Sequence, residues 1–503
     1  MAKTSMPLLD HTDGSTLPVE VPETTVLTSP AREGSGVGRK TRSGPGVLAW
    51  LKHLLGLDRA IAYTFLSRFV MILGSVVTVL LLVHSLNPVE QGYYYALLSL
   101  VSLQVIFELG FSFVVQQLAA HESVHLKCST DGVWIGDAIS HARLASILQL
   151  IVRWYSRAAF IMVLTLLPLG WVFFFFHRHG DNVAWQGPWI FASIACSARF
   201  LLTPFYSFID GCGQVREVAQ MRLAEASATA VSACSALVAH RGLYAPAMAI
   251  VGSVAVGLVF LWRRRRLLHD LYIHPSHGFA VLWRKEVWPF QWKIAVSWIC
   301  TYFTAQAFVP LLFALRGPVE AGQMGMSLSI TGYLSLLLLS WISTKATPFG
   351  QLISRGKFED LDRMFFRALR QSLVLLSLAA IMCMAGIVLV PHIYPRLAVR
   401  MGSPTIFALL LLTMMSSYVV QGLAIYLRSF KREPFLGLYV VTALLTLGSV
   451  LATAKLWGNL GAALSYFSAT GIVGLGTALW IFWGFRRGIA APKEASLRLE
   501  SAP

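Results

Sequence analysis

Twelve apolar runs, each roughly 20 residues or longer, are spaced along this chain, and about 20 apolar residues is what an α-helix needs to cross a ~30 Å hydrocarbon core. They cover residues 61–86, 92–119, 158–176, 187–209, 218–240 and 243–262, then 294–315, 322–350, 371–391, 404–427, 434–455 and 459–485. Inside lipid every backbone N–H and C=O must find an internal partner, so runs of this kind predict helices. A water-soluble chain of 503 residues has no interior large enough for 56% hydrophobic residues beside 13% charged ones, and the mean hydropathy of +0.64 agrees. The expected fold class is therefore an all-α polytopic membrane protein of twelve transmembrane helices, which excludes soluble enzymes and secreted scaffolds.

The net charge of +17 would point to nucleic acid in a soluble protein, but here the basic residues fall between apolar runs, where they set orientation. With the N-terminus in the cytoplasm, 31 of the 41 Lys and Arg residues lie on the cytoplasmic side, 6 on the other side and 4 within spans. Both termini are thus expected in the cytoplasm, and no nucleic-acid partner is expected. Residues 1–45, rich in Ser, Thr, Pro and Gly without an apolar segment, read as a disordered cytoplasmic tail. Six scattered cysteines lack metal-site or disulfide-framework spacing and read as reduced packing residues.

The chain repeats itself. Pro88-Val89-Glu90-Gln91-Gly92 before the second span recurs as Pro318-Val319-Glu320-Ala321-Gly322 before the eighth, 230 residues later, with the same gap back to Ser67 and Ser297. Six spans separate the copies, an even number, so the repeats share one orientation and predict two pseudo-symmetric six-helix lobes. The lobes are expected at 46–262 and 294–485, joined by a basic cytoplasmic linker at 263–293 and followed by a cytoplasmic tail at 486–503.

Ionisable groups inside apolar spans are costly and mark sites by default. Six stand out: Arg68, Glu108, Arg199, Arg222, Glu225 and Lys345. At ~1.5 Å rise per residue, Arg222 lies about 6 Å from the cytoplasmic end, Arg68 and Lys345 about 10 Å, Glu225 about 10–12 Å, and Glu108 and Arg199 about 15 Å. A structural role would pair Glu108 with Arg199, and Glu225 with Arg68 or Arg222, while Arg222 and Lys345 snorkel to headgroups. Four cations against two carboxylates leave a surplus of positive charge, which favours an anionic visitor; arginine suits bidentate phosphate contact.

Other motifs weigh less. His121-Glu122-Ser123-Val124-His125 spells HExxH, and with Asp210-Gly211 resembles an intramembrane metalloprotease pair, but it falls at the end of a span, so no metal is expected. Gly252/Gly257 and Gly471/Gly474 read as close-packing helix contacts. No Walker pattern is present, so neither a nucleotide nor another cofactor is expected. The loops on the non-cytoplasmic side are short, which leaves no room for a catalytic domain there. Residues 143–157 and 358–373 read as amphipathic helices lying at the interface.

The stretch Leu86-Asn87-Pro88-Val89-Glu90-Gln91-Gly92-Tyr93-Tyr94-Tyr95, continuing through Glu108-Leu109-Gly110-Phe111 to Gln116-Gln117-Leu118-Ala119, resembles the first two helices of Wzx-type polysaccharide flippases. These belong to the multidrug/oligosaccharidyl-lipid/polysaccharide (MOP) superfamily, which includes the MATE transporters. The specific likeness covers Phe65 to Ala119, and the two-lobe plan extends it over Leu57 to Phe485. The resemblance implies a bacterial inner-membrane protein, not an enzyme. It implies that alternating access of two lobes passes a polyprenyl-diphosphate-linked oligosaccharide to the outer leaflet for surface polysaccharide or lipopolysaccharide biosynthesis. Arg68, Arg199, Arg222 and Lys345 would bind the anionic substrate; Glu108 and Glu225 would balance charge or couple transport to H+ or Na+. Membrane lipids and glycosyltransferases or a polymerase of the same pathway are the expected partners. The long N-terminal tail departs from the family, and twelve spans in place of fourteen argue against lipid II as cargo. The alternatives are a MATE-like cation/drug antiporter, a membrane ligase or polymerase, and a scaffold that recruits glycosyltransferases.

Overall fold

The computed structural model describes residues 59–124, 126–128, 134–177, 182–273, 283, 287–430 and 434–500. The expected N-terminal tail, residues 1–45, lies outside them. The first half of the chain builds α1 (Arg59–Ser85), α2 (Pro88–Val101), α3 (Gln104–Glu108), α4 (Phe111–Ser123), a short antiparallel ribbon β1 (Leu126–Cys128) and β2 (Trp134–Gly136), α5 (Ala138–Phe176), α6 (Gln186–Gly211), α7 (Val215–Val238), α8 (Ala245–Arg263) and α9 (Arg265–Ile273). The second half builds α10 (Trp288–Ala305), α11 (Phe308–Arg316), α12 (Pro318–Ser343), α13 (Ala346–Ser354), α14 (Phe358–Ile393), α15 (Pro395–Arg400), α16 (Pro404–Ser429), α17 (Leu436–Tyr466), a π-helical segment (Phe467–Gly474) and α18 (Leu475–Glu500).

Among the described residues eight helices are long and apolar enough to cross a membrane, or up to ten when two bent pairs each count as one span. The expected twelve runs all fall on helices, and two places separate ten from twelve. Helix α7 carries Arg216, Glu217, Arg222 and Glu225 and is too polar to be counted among the apolar spans. Residues 436–487 register as one span although the chain reverses within them. At Gly458 (φ 56°, ψ −136°) helical geometry is lost. The Thr453 hydroxyl then reaches the Gly461 carbonyl at 3.0 Å and the Ser465 hydroxyl at 2.7 Å. Twelve residues along a straight helix span about 18 Å, so the chain must double back here.

Several expectations need correcting. The runs at 92–119 and 294–315 are not single helices: α2–α3 meets α4 at 44°, and α10 meets α11 at 40°. The first break sits at Leu109 and Gly110, both left-handed (φ 50° and 65°). The run at 322–350 is also interrupted, with Lys345 in the turn between α12 and α13. Neither 143–157 nor 358–373 is a separate interfacial helix. Each is the first part of a continuous helix, α5 of 39 residues and α14 of 36. At ~1.5 Å per residue these helices far exceed a ~30 Å core, so their polar starts stand outside it. Within the expected linker 263–293, α9 is helical; residues 274–282 lie outside the described residues.

Local chemistry explains the helix starts. Asn87 caps α2 by accepting from the Glu90 N–H (2.8 Å), the Glu90 carboxylate accepts from the Asn87 N–H (2.9 Å), and Pro88 occupies the first turn. Asp137 caps α5 through the Ser140 N–H (2.9 Å). Small residues bring the helices together. A Cβ on Gly74 of α1 would lie 2.6 Å from Ala230 on α7, and one on Gly252 of α8 would lie 2.7 Å from the Ala228 carbonyl.

The two copies of the Pro-Val-Glu-x-Gly repeat touch each other. The Cβ positions of Gly92 and Gly322 fall 2.0 Å from the Pro318 carbonyl oxygen and 2.9 Å from the Gly92 nitrogen, respectively. Around them the Gln91 amide donates to the carbonyls of Gly322 and Arg400 (3.0 Å each), and the Arg400 guanidinium donates to the Leu86 carbonyl (2.6 Å). This side of the bundle, the turn face, is closed between the halves.

Candidate functional site

Of the six ionisable residues expected in the spans, five come together in the first half of the chain. Helix α6 holds Arg199 so that its Nη2 lies 3.5 Å from Oε1 of Glu225 on α7, and the Ser253 hydroxyl of α8 donates to the same oxygen at 2.5 Å. Glu108, at the end of α3 where the second span breaks, lies within electrostatic reach of Arg199 and beside the Ser112 hydroxyl. Ser112 in turn meets Tyr155 of α5 at 3.0 Å. Tyr206 on α6 stands near Glu225, Arg199 and Arg222.

The pairing differs from the sequence expectation. Glu225 takes Arg199, not Arg68 or Arg222. Arg68 instead crosses to the second half, donating through Nη1 to the Leu336 carbonyl of α12 at 2.6 Å. Arg222 is exposed at the protein surface and is electrostatically close to Arg68 and Asp210. Lys345 is exposed in its turn and joins none of these contacts.

Asp210 is the residue the sequence reading missed as a partner. The apolar run ends at residue 209, but α6 continues to Gly211, and this last turn carries Asp210 to Gln116 of α4, whose amide donates to it at 2.9 Å. Its acidity one residue beyond the apolar run was the available signal. The network of Arg68, Arg199 and Arg222 with Glu108, Asp210 and Glu225 therefore holds equal numbers of positive and negative groups. The surplus expected from the sequence shrinks to Lys345, outside the network.

Its chemical character follows from exposure. The Glu225 side chain is 14% exposed, accepts from the Ser253 hydroxyl and pairs with Arg199, whereas 43% of the Arg199 side chain remains open. The Glu225 carboxylate is turned inward while Arg199 stays partly open and Arg222 is exposed, so an arriving ligand meets these two cations before Glu225. Arginine suits contact with an anion such as a phosphate, and the open part of Arg199 and the exposed Arg222 offer such groups. Glu108 also occupies a discontinuous span, an arrangement that recurs at transporter binding sites.

The glutamate of the HExxH pattern is engaged within the fold. Glu122 is buried and accepts from Arg143 at 2.8 Å, so its carboxylate is committed to an ion pair. His125 lies outside the described residues, and no group of three His, Cys, Asp or Glu side chains able to hold a metal occurs among them. Cys196, Cys212, Cys234, Cys300 and Cys383 are free thiols; the side chain of Cys128 lies outside what is described.

Solved structures share this architecture. A MOP superfamily transporter from Pyrococcus furiosus, described as having a binding pocket of reverse polarity that suggests a different function, aligns with a TM-score of 0.52 at 13% identity over 88% of this chain and 98% of its own. An inward-facing multidrug resistance MATE family transporter of the same superfamily gives 0.51 at 14% identity over 89% and 98%. A MATE in complex with MaD5 gives 0.50 at 14% identity over 90% and 100%. No protein-family model and no curated protein matches the sequence. The chain has the fold of the MOP superfamily transporters and is a multi-pass membrane protein.

Proposed function

We propose that this chain, built on the MOP transporter fold, is a flippase that moves a polyprenyl-diphosphate-linked oligosaccharide across the bacterial inner membrane by alternating access of two lobes, residues 46–262 and 294–485. Both termini are cytoplasmic in this reading, and the spans number twelve. The observation that carries it is the orientation of the charged network: Arg222 exposed and Arg199 half open, with Glu225 held behind them by Arg199 and Ser253. A hydroxyl-rich, charged headgroup crossing hydrocarbon would leave many polar groups unsatisfied at several kcal/mol each, so it needs such a polar path.

Arg68, Arg199 and Arg222 attract the diphosphate or acidic sugars, and Lys345 offers a charge near the membrane surface. Glu108 and Glu225 balance the arginines and provide groups through which H+ or Na+ coupling would act, with Asp210 as a third. The polyprenyl tail stays among membrane lipids, and glycosyltransferases or a polymerase of the same pathway supply and use the cargo. A cation/drug antiporter needs a carboxylate free of cations, but Glu225 and Glu108 lie by Arg199 and Asp210 by Arg222.

Deletion of the gene tests the reading. Lipid-linked oligosaccharide should accumulate on the cytoplasmic leaflet while surface polysaccharide disappears, and Arg222→Gln should fail to restore export at wild-type protein levels. Normal export in the deletion strain would overturn the flippase assignment.

A further inference from the structure

A cavity of about 520 Å³ lies between the break in the second span and the second half of the chain, within the ~300–1,000 Å³ range of small-molecule sites. Its chemistry differs from that of the arginine network. Ser102 and Val105 line one side, and Ser297, Trp298, Thr301, Gln421 and Thr470 are among the groups lining the other. No Asp, Glu or Lys occurs among the described lining residues, and Arg428, near the end of α16, is the one Arg among them.

Two observations point to a ligand. Ser297 is only 3% exposed, yet its hydroxyl has no hydrogen-bond partner among the described residues, so a buried donor and acceptor is left unsatisfied at the cavity wall. Trp298, one residue on, keeps 38% of its surface open in the same wall. An open aromatic face beside hydroxyl and amide groups matches a neutral polyhydroxylated ring, whose C–H face stacks while its rim exchanges hydrogen bonds. An organic cation would lack a carboxylate here, and a diphosphate would find one guanidinium. The cavity also adjoins the charged network: a Cβ on Gly110, two residues after Glu108, would lie 3.7 Å from the Trp298 ring.

We propose that this cavity is the sugar subsite, holding an uncharged saccharide portion of the cargo while the arginines of the first half hold its diphosphate. The inference rests on the flippase reading above and divides its substrate between two sites.

Photocrosslinking of the full-length chain in its native membrane tests it. The photoreactive residue p-benzoylphenylalanine replaces Trp298 in one protein and Arg222 in another; a third carries it at Thr301 with Trp298 intact, in case the first does not fold. After irradiation, adducts are identified by mass spectrometry. The expected result is a sugar-bearing mass at position 298 or 301, lost at position 301 when Trp298→Ala is added. A sugar-bearing adduct at position 222 alone would overturn the subsite and leave the flippase reading standing. A phospholipid or organic cation in the cavity would also overturn the subsite. No sugar-bearing adduct at any position would overturn both.

Discussion

Gly92 faces the backbone of Pro318 so closely that a Cβ there would sit 2.0 Å from the Pro318 carbonyl oxygen. The two residues belong to the two copies of one sequence repeat, so the duplicated turns meet each other on one face of the bundle. Any motion that opens this face must separate them.

Gly92→Val therefore wedges the halves apart. Overpacking of this kind costs about 1–3 kcal/mol, and the backbone has no flexible side chain to yield. A lower melting temperature in detergent is expected, with faster labelling of a cysteine placed at Glu90. Unchanged labelling would show that the contact does not hold the face shut.

The polar clasp beside it should act the same way without a steric clash. Arg400→Ala removes the donor to the Leu86 carbonyl, and Gln91→Leu removes two amide hydrogen bonds to the second half. Hydrogen bonds from charged donors contribute about 1.5–3 kcal/mol, enough to shift a balanced equilibrium at least tenfold. Spin-label distances across the turn face should lengthen in both variants. A distribution identical to wild type would assign the clasp a local role only.

Arg199 and Glu225 should be coupled in stability but not in transport. Arg199→Ala leaves Glu225 without its cation; because Arg199 is 43% exposed, a loss of about 1–2 kcal/mol is expected, below the range for a fully buried pair. Adding Glu225→Gln should recover most of that stability, as read from chemical denaturation, while export stays lost. Restored export in the double variant would mean that the arginine serves the fold alone.

Arg222→Gln provides the complementary case. The side chain is exposed and, among the described residues, makes no ion pair, so stability should stay within ~0.5 kcal/mol. Binding of undecaprenyl diphosphate in nanodiscs should weaken and lose part of its salt dependence, because a screened charge contact has been removed. Equal affinity and salt slope would remove Arg222 from the substrate path.

Glu122 separates a structural from a metallic reading of HExxH. Glu122→Gln should lower the melting temperature by weakening the contact with Arg143, whereas chelators should leave export unchanged. Inhibition by a chelator that added zinc reverses would reinstate the metal.

Much of the architecture was legible because lipid imposes a length and composition rule on every span, and that rule acts locally. The apolar runs at 61–86, 187–209, 243–262 and 404–427 match helices α1, α6, α8 and α16 within a few residues at most ends. The repeat was legible too, since Pro88 and Pro318 begin helices for the same reason, a fixed φ in the first turn. The breaks were less so. Leu109 adopts a left-handed conformation that nothing in its residue type favours, and Gly110 beside it admits the Ile294 side chain, which is 184 positions distant in the chain.

What the residues determined by themselves was which segments are long and apolar enough to enter the bilayer, the repeated Pro-Val-Glu-x-Gly turn, and which ionisable side chains interrupt the apolar runs. Those follow from transfer free energy and helix rise, properties of each segment in isolation. Tertiary structure decided the partners: that Arg199 takes Glu225, that Arg68 reaches across to the Leu336 carbonyl, that Asp210 joins the network, and that Ser297 is left without a partner beside an open Trp298. Periodicity cannot supply these, because a charged side chain in a low-dielectric layer is paired by distance between helices, and that distance is set by where small residues such as Gly74 and Gly252 let neighbouring backbones approach.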